Sequence, residues 1–244
     1  MSLIFGPEDL SCPALDRCPV AAAALTGLAR RGQLPTTGIA EGSAWHRVYS
    51  SQFGHAEANP GYGDARFSPF NETGTNTSVP TVYLAMTPHA ALLETVLRDV
   101  GEWIVREVSE ARFYGQLHVG LEMTEAVRVA DLRNSALTKL NIPRSAIASS
   151  PQEHYPCTRT VAKAVHASEQ NLAGIVWHSR QAEISRQPDA EVLVLFADRL
   201  ANGRDALVPT QSLTAVGSIG EGAGRIVLDE LLEDLGVTVV SPLS

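Results

Sequence analysis

The stretch TVYLAMTPHAALLETVL, residues 81–97, decides the fold class because it predicts a strand followed at once by a helix. Its first part, Thr81–Met86, is rich in β-branched and aromatic residues and is typical of a strand. Thr87 is a favourable N-cap and Pro88 suits the first helical turn, so a helix is expected from there. Glu94 falls on this helix, away from its apolar face. The apolar positions at helical spacing are Leu92, Leu93, Val96, Leu97 and Val100, with a stop expected at Gly101.

The segments on either side predict an α/β (α+β) fold with more strand than helix. Strict alternation of strand and helix is absent, which disfavours a doubly wound sheet. A linker is expected over Gln33–Glu41, a long loop over Gln52–Pro80 and irregular structure over Asn134–His154, and a loop as long as the second is usually functional. The expected strands are Ala44–Ser50, Arg112–Met123, Ala126–Leu132, Gly174–His178, Val192–Ala197, Gln211–Ile219 and Val237–Val240, and the further helices are Val20–Arg31, Thr158–Gln170 and Arg225–Leu235.

Length and charge limit the classes of protein to consider. The 244 residues suit an N-terminal extension with one helix over residues 1–40 and one domain over residues 41–244. Lys and Arg number 19 against 27 Asp and Glu, a net charge of −8, which argues against direct nucleic-acid or membrane binding. No apolar run is long enough to span a membrane, and the first ten residues lack the basic cluster of a secretory signal. A cytoplasmic location is expected.

The cysteines and histidines predict no metal site. Cys12, Cys18 and Cys157 are odd in number and form no Cys-x-x-Cys, and the chain has no His-Glu-x-x-His. Three reduced thiols in a cytosolic protein are the expectation. The glycine-rich run Gly217–Gly224 fits neither phosphate-loop template, so a turn before a helix is expected there. No Gly-x-Ser-x-Gly is present, which leaves a serine hydrolase without support.

Four short pieces, none decisive alone, occur in an informative order. They are Arg47-Val48, the run GDARFSP from Gly63 to Pro69, Val82-Tyr83-Leu84-Ala85 leading into Ala91-Leu-Leu-Glu94, and GIVWHS from Gly174 to Ser179. Together they resemble the RES domain, a bacterial family named for an Arg, a Glu and a Ser, over residues 43–220. The chain departs from the family pattern at Ala65, at Phe67, and where Arg180 follows Ser179 directly.

The resemblance implies a fold, an activity and a partner. The fold would be a mixed, split sheet with flanking helices, similar to that of ADP-ribosyltransferases, with a central NAD cleft. Many members of the family are similar to toxins of toxin–antitoxin pairs, which a helix-turn-helix antitoxin of the Xre type holds inactive. They deplete NAD by hydrolysis or phosphorolysis, and some modify a protein instead. Whether this chain forms a homodimer stays open.

The chemistry of NAD cleavage suits the residue types in these pieces. Nicotinamide leaves as a neutral molecule, so one carboxylate, Glu94, suffices to stabilise the oxocarbenium-like transition state and hold a ribose hydroxyl. Arg47 and Arg66 offer planar forks for pyrophosphate or ribose, and they are expected to face one cavity. Tyr83 is expected to stack on nicotinamide. Ser179 would hydrogen-bond the ribose and orient Glu94, or merely cap the turn that follows it.

Three readings of function remain open at this point. The acceptor of the ribosyl group is water or phosphate in an NAD-degrading enzyme, and a side chain in a protein ADP-ribosyltransferase on the same site. The alternative to an enzyme is a module that binds a nucleotide or an antitoxin without turnover. The departures from the family pattern at Ala65 and Phe67 leave this alternative open.

Overall fold

The fold is built on strands that pair in two sheets, seen in a computed structural model that describes residues 10–98, 100, 104–210 and 217–241. The strands within these ranges are β1 (Thr36–Ile39), β2 (Ala44–Ser50), β3 (Thr81–Ala85), β4 (Glu107–Ser109), β5 (Gln116–Met123), β6 (Val127–Asp131), β7 (Gly174–His178), β8 (Glu191–Phe196), β9 (Leu207–Pro209) and β10 (Thr238–Val240). The helices are α1 (Ala22–Arg30), α2 (Pro88–Leu93), α3 (Asn134–Lys139), α4 (Tyr155–His166) and α5 (Gly222–Leu235).

Among the described residues, the main sheet has eight strands in the order β1-β6-β7-β8-β3-β2-β5-β9. Adjacent strands of this sheet run antiparallel, except that β6 and β7 are parallel, with Ala130 opposite Ile175. The second sheet is a parallel pair, β10 with β4. The expected mixed sheet with flanking helices is therefore confirmed, and likeness to ADP-ribosyltransferases stays a prediction.

The two faces of the sheet bury different sets of residues, because side chains alternate along each strand. On β8, Val192, Val194 and Phe196 belong to one core, while Leu193 and Leu195 belong to another. The second core collects residues from all eight strands of the main sheet, so the sheet curls around it. Helices α1 and α4 cover part of the opposite face, and α2 and α5 cover another part.

Local signals place α2, the helix that leads to the predicted carboxylate. Thr87 caps it as expected, since its hydroxyl accepts a hydrogen bond from the Ala90 N–H at 3.1 Å. The helix is shorter than predicted, because it ends at Leu93 and leaves Glu94 as its C-cap. The apolar spacing continued to Val100 because the turns after Glu94 also bury apolar side chains. The expected stop at Gly101 lies outside the described residues.

Other sequence expectations need correction. Residues 36–39 form β1, an edge strand paired with β6, where a linker was expected. Residues 110–113 form a 3-10 turn before β5, and α3 lies in a segment expected to be irregular. Short edge strands and one-turn helices carry too little periodic signal to be seen in sequence, and pairing with neighbours decides them. The strand expected over 211–219 lies largely outside the described residues.

Close backbone approaches explain two glycines. A Cβ on Gly174 of β7 would lie 2.1 Å from the Val194 main-chain oxygen, and one on Gly224 of α5 would lie 2.1 Å from that of Ser218. Packing of backbone on backbone therefore requires glycine at both positions. Gly224 belongs to the run expected to be a turn before a helix, and that run does lead into α5. None of the helices within the described residues has the length and apolarity to cross a membrane.

Candidate active site

A cavity of about 270 Å³ opens between β2, β3, the end of α2 and the loop after β2. Its volume is near the lower limit of small-molecule sites, which span about 300–1,000 Å³. The loop folds back over the sheet and supplies one wall. The residues that line the cavity include His46, Arg47, Asn59, Tyr62, Asp64, Ala65, Tyr83, Glu94 and Arg98.

Glu94 and Ser179, 85 residues apart in sequence, meet at this cavity. The Ser179 hydroxyl donates a hydrogen bond of 2.6 Å to Oε1 of Glu94. Such a short bond is typical of a hydroxyl donating to an ionised carboxylate. Glu94 lines the cavity and is half-buried, whereas Ser179 is fully buried behind it. The geometry holds one carboxylate oxygen still while the residue faces the cavity.

Ser179 is itself fixed from several directions. Its N–H donates to Ala190 O at 2.9 Å, and its carbonyl accepts from Nη2 of Arg144 at 2.8 Å. Its hydroxyl also accepts from the Ala182 N–H at 3.0 Å. Orientation of Glu94 and capping of the turn were alternatives in the sequence, and the structure contains both contacts at once.

Arg47 lines the cavity but is already engaged with the protein. Its Nη1 donates to His55 O at 2.5 Å and its Nη2 to Glu57 O at 2.7 Å, so the planar fork holds the loop after β2 against the sheet. Burial lowers the pKa of Arg47 to about 10. The guanidinium is therefore still charged at neutral pH and provides a positive wall to the cavity.

Tyr83 lines the cavity and supports the GDARFSP turn. Its hydroxyl accepts hydrogen bonds from the Phe67 N–H at 3.0 Å and the Ser68 hydroxyl at 3.3 Å. Burial raises the pKa of Tyr83 to about 12, so the phenol stays protonated. Its ring packs edge-on to Trp177, which also contacts Phe67. Phe67, one of the departures from the family pattern, is thus a core residue, whereas Ala65 lines the cavity.

Arg66 is not among the residues that line the cavity. Its Nη1 donates to Ile147 O at 2.9 Å, Ser150 O at 3.1 Å and the Ser150 hydroxyl at 2.7 Å, and its guanidinium lies 5.0 Å from the centre of the Tyr155 ring. Arg66 does not line the cavity wall with Arg47, because these buried acceptors hold its side chain, and a shared substrate site for the two arginines stays a prediction. Glu94 is nonetheless close enough to oppose the lowering of the Arg66 pKa that burial causes.

Two arginines that no sequence motif marks also build the site. Arg98 lines the cavity and donates to the Glu94 carbonyl through Nη2 at 3.1 Å and to Asp64 O through Nη1 at 3.0 Å. Arg144 holds Ser179 from behind and pairs with Glu183. Arginine is the predominant cation of this chain, so composition marked neither residue. Arg98 does lie four residues after Glu94, the spacing of neighbours on a helical turn.

A histidine pair lies beside the cavity, which His46 lines. Nδ1 of His46 lies 3.1 Å from Nε2 of His118, and the rings stack with their centres 5.1 Å apart. Burial lowers the pKa of both, that of His118 to about 4. Both imidazoles are therefore neutral near pH 7, and one donates an N–H to the other.

A second compartment of about 200 Å³ adjoins the cavity and shares Arg47, Val48, Asn59 and Tyr62 with it. Tyr49 and Phe53 add aromatic surface there, and Tyr62 is about half exposed. Two connected compartments suit an extended ligand with two ring systems better than either does alone.

The fold and the cavity define a mixed α/β protein with one carboxylate held at a cleft by a buried serine and with arginine on the cleft wall. The model of the RES domain family matches residues 39–216 of this chain. The chain therefore belongs to the RES domain family.

The structure comparison agrees on the fold. A chain of the crystal structure of the M. tuberculosis MbcT–MbcA toxin–antitoxin complex superposes with a TM-score of 0.54 at 14% identity, covering 86% of this chain and 96% of that one. Comparison with curated protein sequences gives no match.

Proposed function

We propose that this protein cleaves the nicotinamide–ribose bond of NAD at the cavity that Glu94 lines. The observation that carries the proposal is the 2.6 Å hydrogen bond from the buried Ser179 hydroxyl to the Glu94 carboxylate. A carboxylate fixed before the substrate arrives needs no reorganisation when positive charge develops beside it. Membership of the RES domain family supports the same reading.

The reaction needs little proton transfer at the leaving group. The C1′–N bond breaks with its electron pair going to nicotinamide, which departs uncharged, and the ribosyl carbon becomes oxocarbenium-like. The acceptor oxygen then bonds to C1′, and an acceptor that is water releases one proton to the solvent. Glu94 would stabilise the positive charge, and Ser179 would act as a positioning residue through Glu94. Ser179 is no nucleophile in this proposal, because it is fully buried behind Glu94 and does not line the cavity.

The two compartments suggest how NAD would lie. The cavity with Glu94 would take the nicotinamide riboside, beside the Tyr83 ring. The aromatic compartment with Phe53 and Tyr62 would take the adenosine. Arg47 lies in the wall common to both, where the pyrophosphate would pass, and its charge would favour that anion. Arg66 would act indirectly in this arrangement, by fixing the turn that Tyr83 supports.

The biological role we propose is that of the toxin of a toxin–antitoxin pair. The neighbouring structure is a toxin–antitoxin complex, which supports an antitoxin partner for this chain too. A helix-turn-helix antitoxin is the form that the family resemblance favours. Co-expression with the product of the adjacent gene tests this: a stable complex with reduced NAD cleavage is expected, and an adjacent protein that neither binds nor inhibits would argue against the pairing.

The direct test is incubation of the purified protein with NAD labelled in the adenosine half. Free nicotinamide with unlabelled protein indicates an NAD-degrading enzyme, and a requirement for phosphate would identify phosphorolysis. Label on protein indicates a transferase. The Glu94→Gln protein keeps the shape and loses the charge, so turnover should fall by ~10²-fold or more.

A matched control is Glu233→Gln, an exposed carboxylate on α5. It should leave turnover unchanged. Near-normal NAD loss in a folded Glu94→Gln protein would remove Glu94 from the mechanism. No release of nicotinamide by the wild-type protein would favour the binding module instead.

A further inference from the structure

Three cysteines and a histidine converge at one place, although Cys12 and Cys18 lie far from His154 and Cys157 in the sequence. Sγ of Cys18 lies 3.5 Å from Sγ of Cys157 and 3.6 Å from Nδ1 of His154, and Sγ of Cys157 lies 3.8 Å from the same nitrogen. Cys12 completes the group, and the four ligand atoms all lie within 4.8 Å of one another. None of the four residues lines the NAD cavity.

We propose that Cys12, Cys18, His154 and Cys157 form a structural zinc site that joins the N-terminal segment to the start of α4. Three thiolates and one imidazole are a regular ligand set for structural zinc, with tetrahedral geometry. Bond lengths of about 2.3 Å to sulfur and 2.0–2.1 Å to nitrogen place tetrahedral ligands about 3.5–3.8 Å apart. The three separations among Cys18, His154 and Cys157 lie in that interval, and Cys12 lies within 4.8 Å of the other ligand atoms.

The imidazole is oriented for coordination through Nδ1. That nitrogen faces the sulfur atoms, while Nε2 lies 3.5 Å from Oε1 of Glu153. Metal-bound histidines commonly donate their other N–H to a carboxylate, which fixes the tautomer. His154 and Cys157 are buried, and Cys12 and Cys18 are partly buried, so the site is sheltered yet reachable from the N-terminal side.

Local structure explains why the ligands present on one side. His154 ends a 3-10 turn and Cys157 lies in the first turn of α4, three residues later and hence on the same face. Cys18 directly follows a second 3-10 turn, Leu15–Arg17. The spacing of these residues in the sequence predicts no metal site, and only the docking of the two turns brings the four side chains together.

A disulfide is the competing use of these thiols. The 3.5 Å between the sulfurs of Cys18 and Cys157 exceeds the roughly 2.05 Å of a disulfide bond. A disulfide would also leave one thiol and the imidazole of His154 with no part in the group. Zinc uses all four side chains, which is why we favour it.

The site would act on the NAD cavity only at a distance. Tyr155, between His154 and Cys157, packs its ring against the Arg66 guanidinium, and the Thr158 hydroxyl donates to the Arg66 carbonyl. Zinc would therefore fix the start of α4, on which Arg66 rests. It holds no position from which to touch substrate, and its presence does not depend on the proposed NAD chemistry.

The test is the metal content of the full chain, purified under reducing conditions with any histidine tag removed. We expect elemental mass spectrometry to find about one zinc ion per chain. Exchange for cobalt should give strong visible d–d absorption and a thiolate-to-cobalt charge-transfer band. Removal of zinc with a chelator should lower the midpoint of thermal unfolding, and added zinc should restore it.

Variants identify the ligands. Cys18→Ser and Cys157→Ser should each lose most of the zinc and the cobalt spectrum, whereas His55→Gln, an imidazole outside the group, should keep both. If a cysteine variant fails to fold, Cys12→Ser and the wild-type measurement still decide. Three results would overturn the proposal. The folded wild-type protein could bind no zinc after exposure to it, or both cysteine variants could retain zinc. The third is a disulfide among these cysteines in the wild-type protein.

Discussion

Replacing Ser179 by alanine tests the link between the fold and the proposed chemistry. The change removes the hydroxyl that donates to Glu94 Oε1 at 2.6 Å and accepts from the Ala182 N–H at 3.0 Å. Ser179 is fully buried, so water does not readily replace either partner. One change thus releases a carboxylate and leaves a backbone N–H without its acceptor.

The two losses have separate magnitudes. A hydrogen bond to a charged group contributes about 1.5–3 kcal/mol, and a buried N–H left unpaired costs about 1–3 kcal/mol. Glu94 is half-buried and recovers part of its loss from water. We expect the free energy of unfolding to fall by about 2–3 kcal/mol in total. For a chain of this size each kcal/mol lowers the midpoint of thermal unfolding by about 2–4 °C.

Turnover should fall as well, because Glu94 would lose its fixed orientation. Loss of one positioning hydrogen bond corresponds to about tenfold in the turnover number, with a smaller change in the Michaelis constant for NAD. The assays are nicotinamide release and thermal unfolding of the same preparations. Ser185→Ala is the matched control, since that hydroxyl donates to Ala182 O at 2.9 Å on the same turn and does not reach Glu94.

Three results would refute this reasoning. Unchanged turnover in a destabilised Ser179→Ala protein would leave only the capping role. Equal losses of turnover in Ser179→Ala and Ser185→Ala would attribute the effect to the turn as a whole. A covalent ribosyl adduct on Ser179 would replace positioning by nucleophilic attack.

Three further changes have defined outcomes. Arg47→Lys should lower kcat/KM for NAD about tenfold, because a point charge cannot hold two carbonyls as the fork does. Arg30→Lys, at an exposed position of α1, should leave kcat/KM unchanged. Burial lowers the pKa of His118 to about 4, so the unfolded chain binds a proton at a higher pH than the folded chain does. The free energy of unfolding should therefore fall, by at most about 3 kcal/mol, as pH drops from about 6.5 to about 4. Urea titrations of His118→Gln should show a shallower fall. Gly174→Ala puts a Cβ 2.1 Å from a main-chain oxygen, so it should lower the free energy of unfolding by about 3 kcal/mol or more, or prevent folding. Gly38→Ala is the control and should fold normally, because open space surrounds that position. Equal expression and stability of the two variants would show that the strands separate easily.

Much of the fold was predictable because its central strands carry strong local signals. The bounds of β2 and β7 match those expected from β-branched and aromatic content. The shortened α2 and the edge strand β1 were not predictable, because pairing and packing decided them. At the site, Glu94 and Ser179 were foreseen from the order of short motifs, and their hydrogen bond follows from the approach of α2 to the end of β7.

The sequence by itself determined the mixed α/β class, the family resemblance and the carboxylate to examine, since these rest on residue types and on order along the chain. Only the tertiary structure decided where side chains point. Arg66 turned to the carbonyls of Ile147 and Ser150, and Arg98 to the cavity, because the best available acceptors for a buried guanidinium are set by distant segments. The same holds for Cys18 and Cys157, which 139 positions separate in the chain and 3.5 Å in space. Contacts of this kind depend on the docking of whole elements, which no local pattern records.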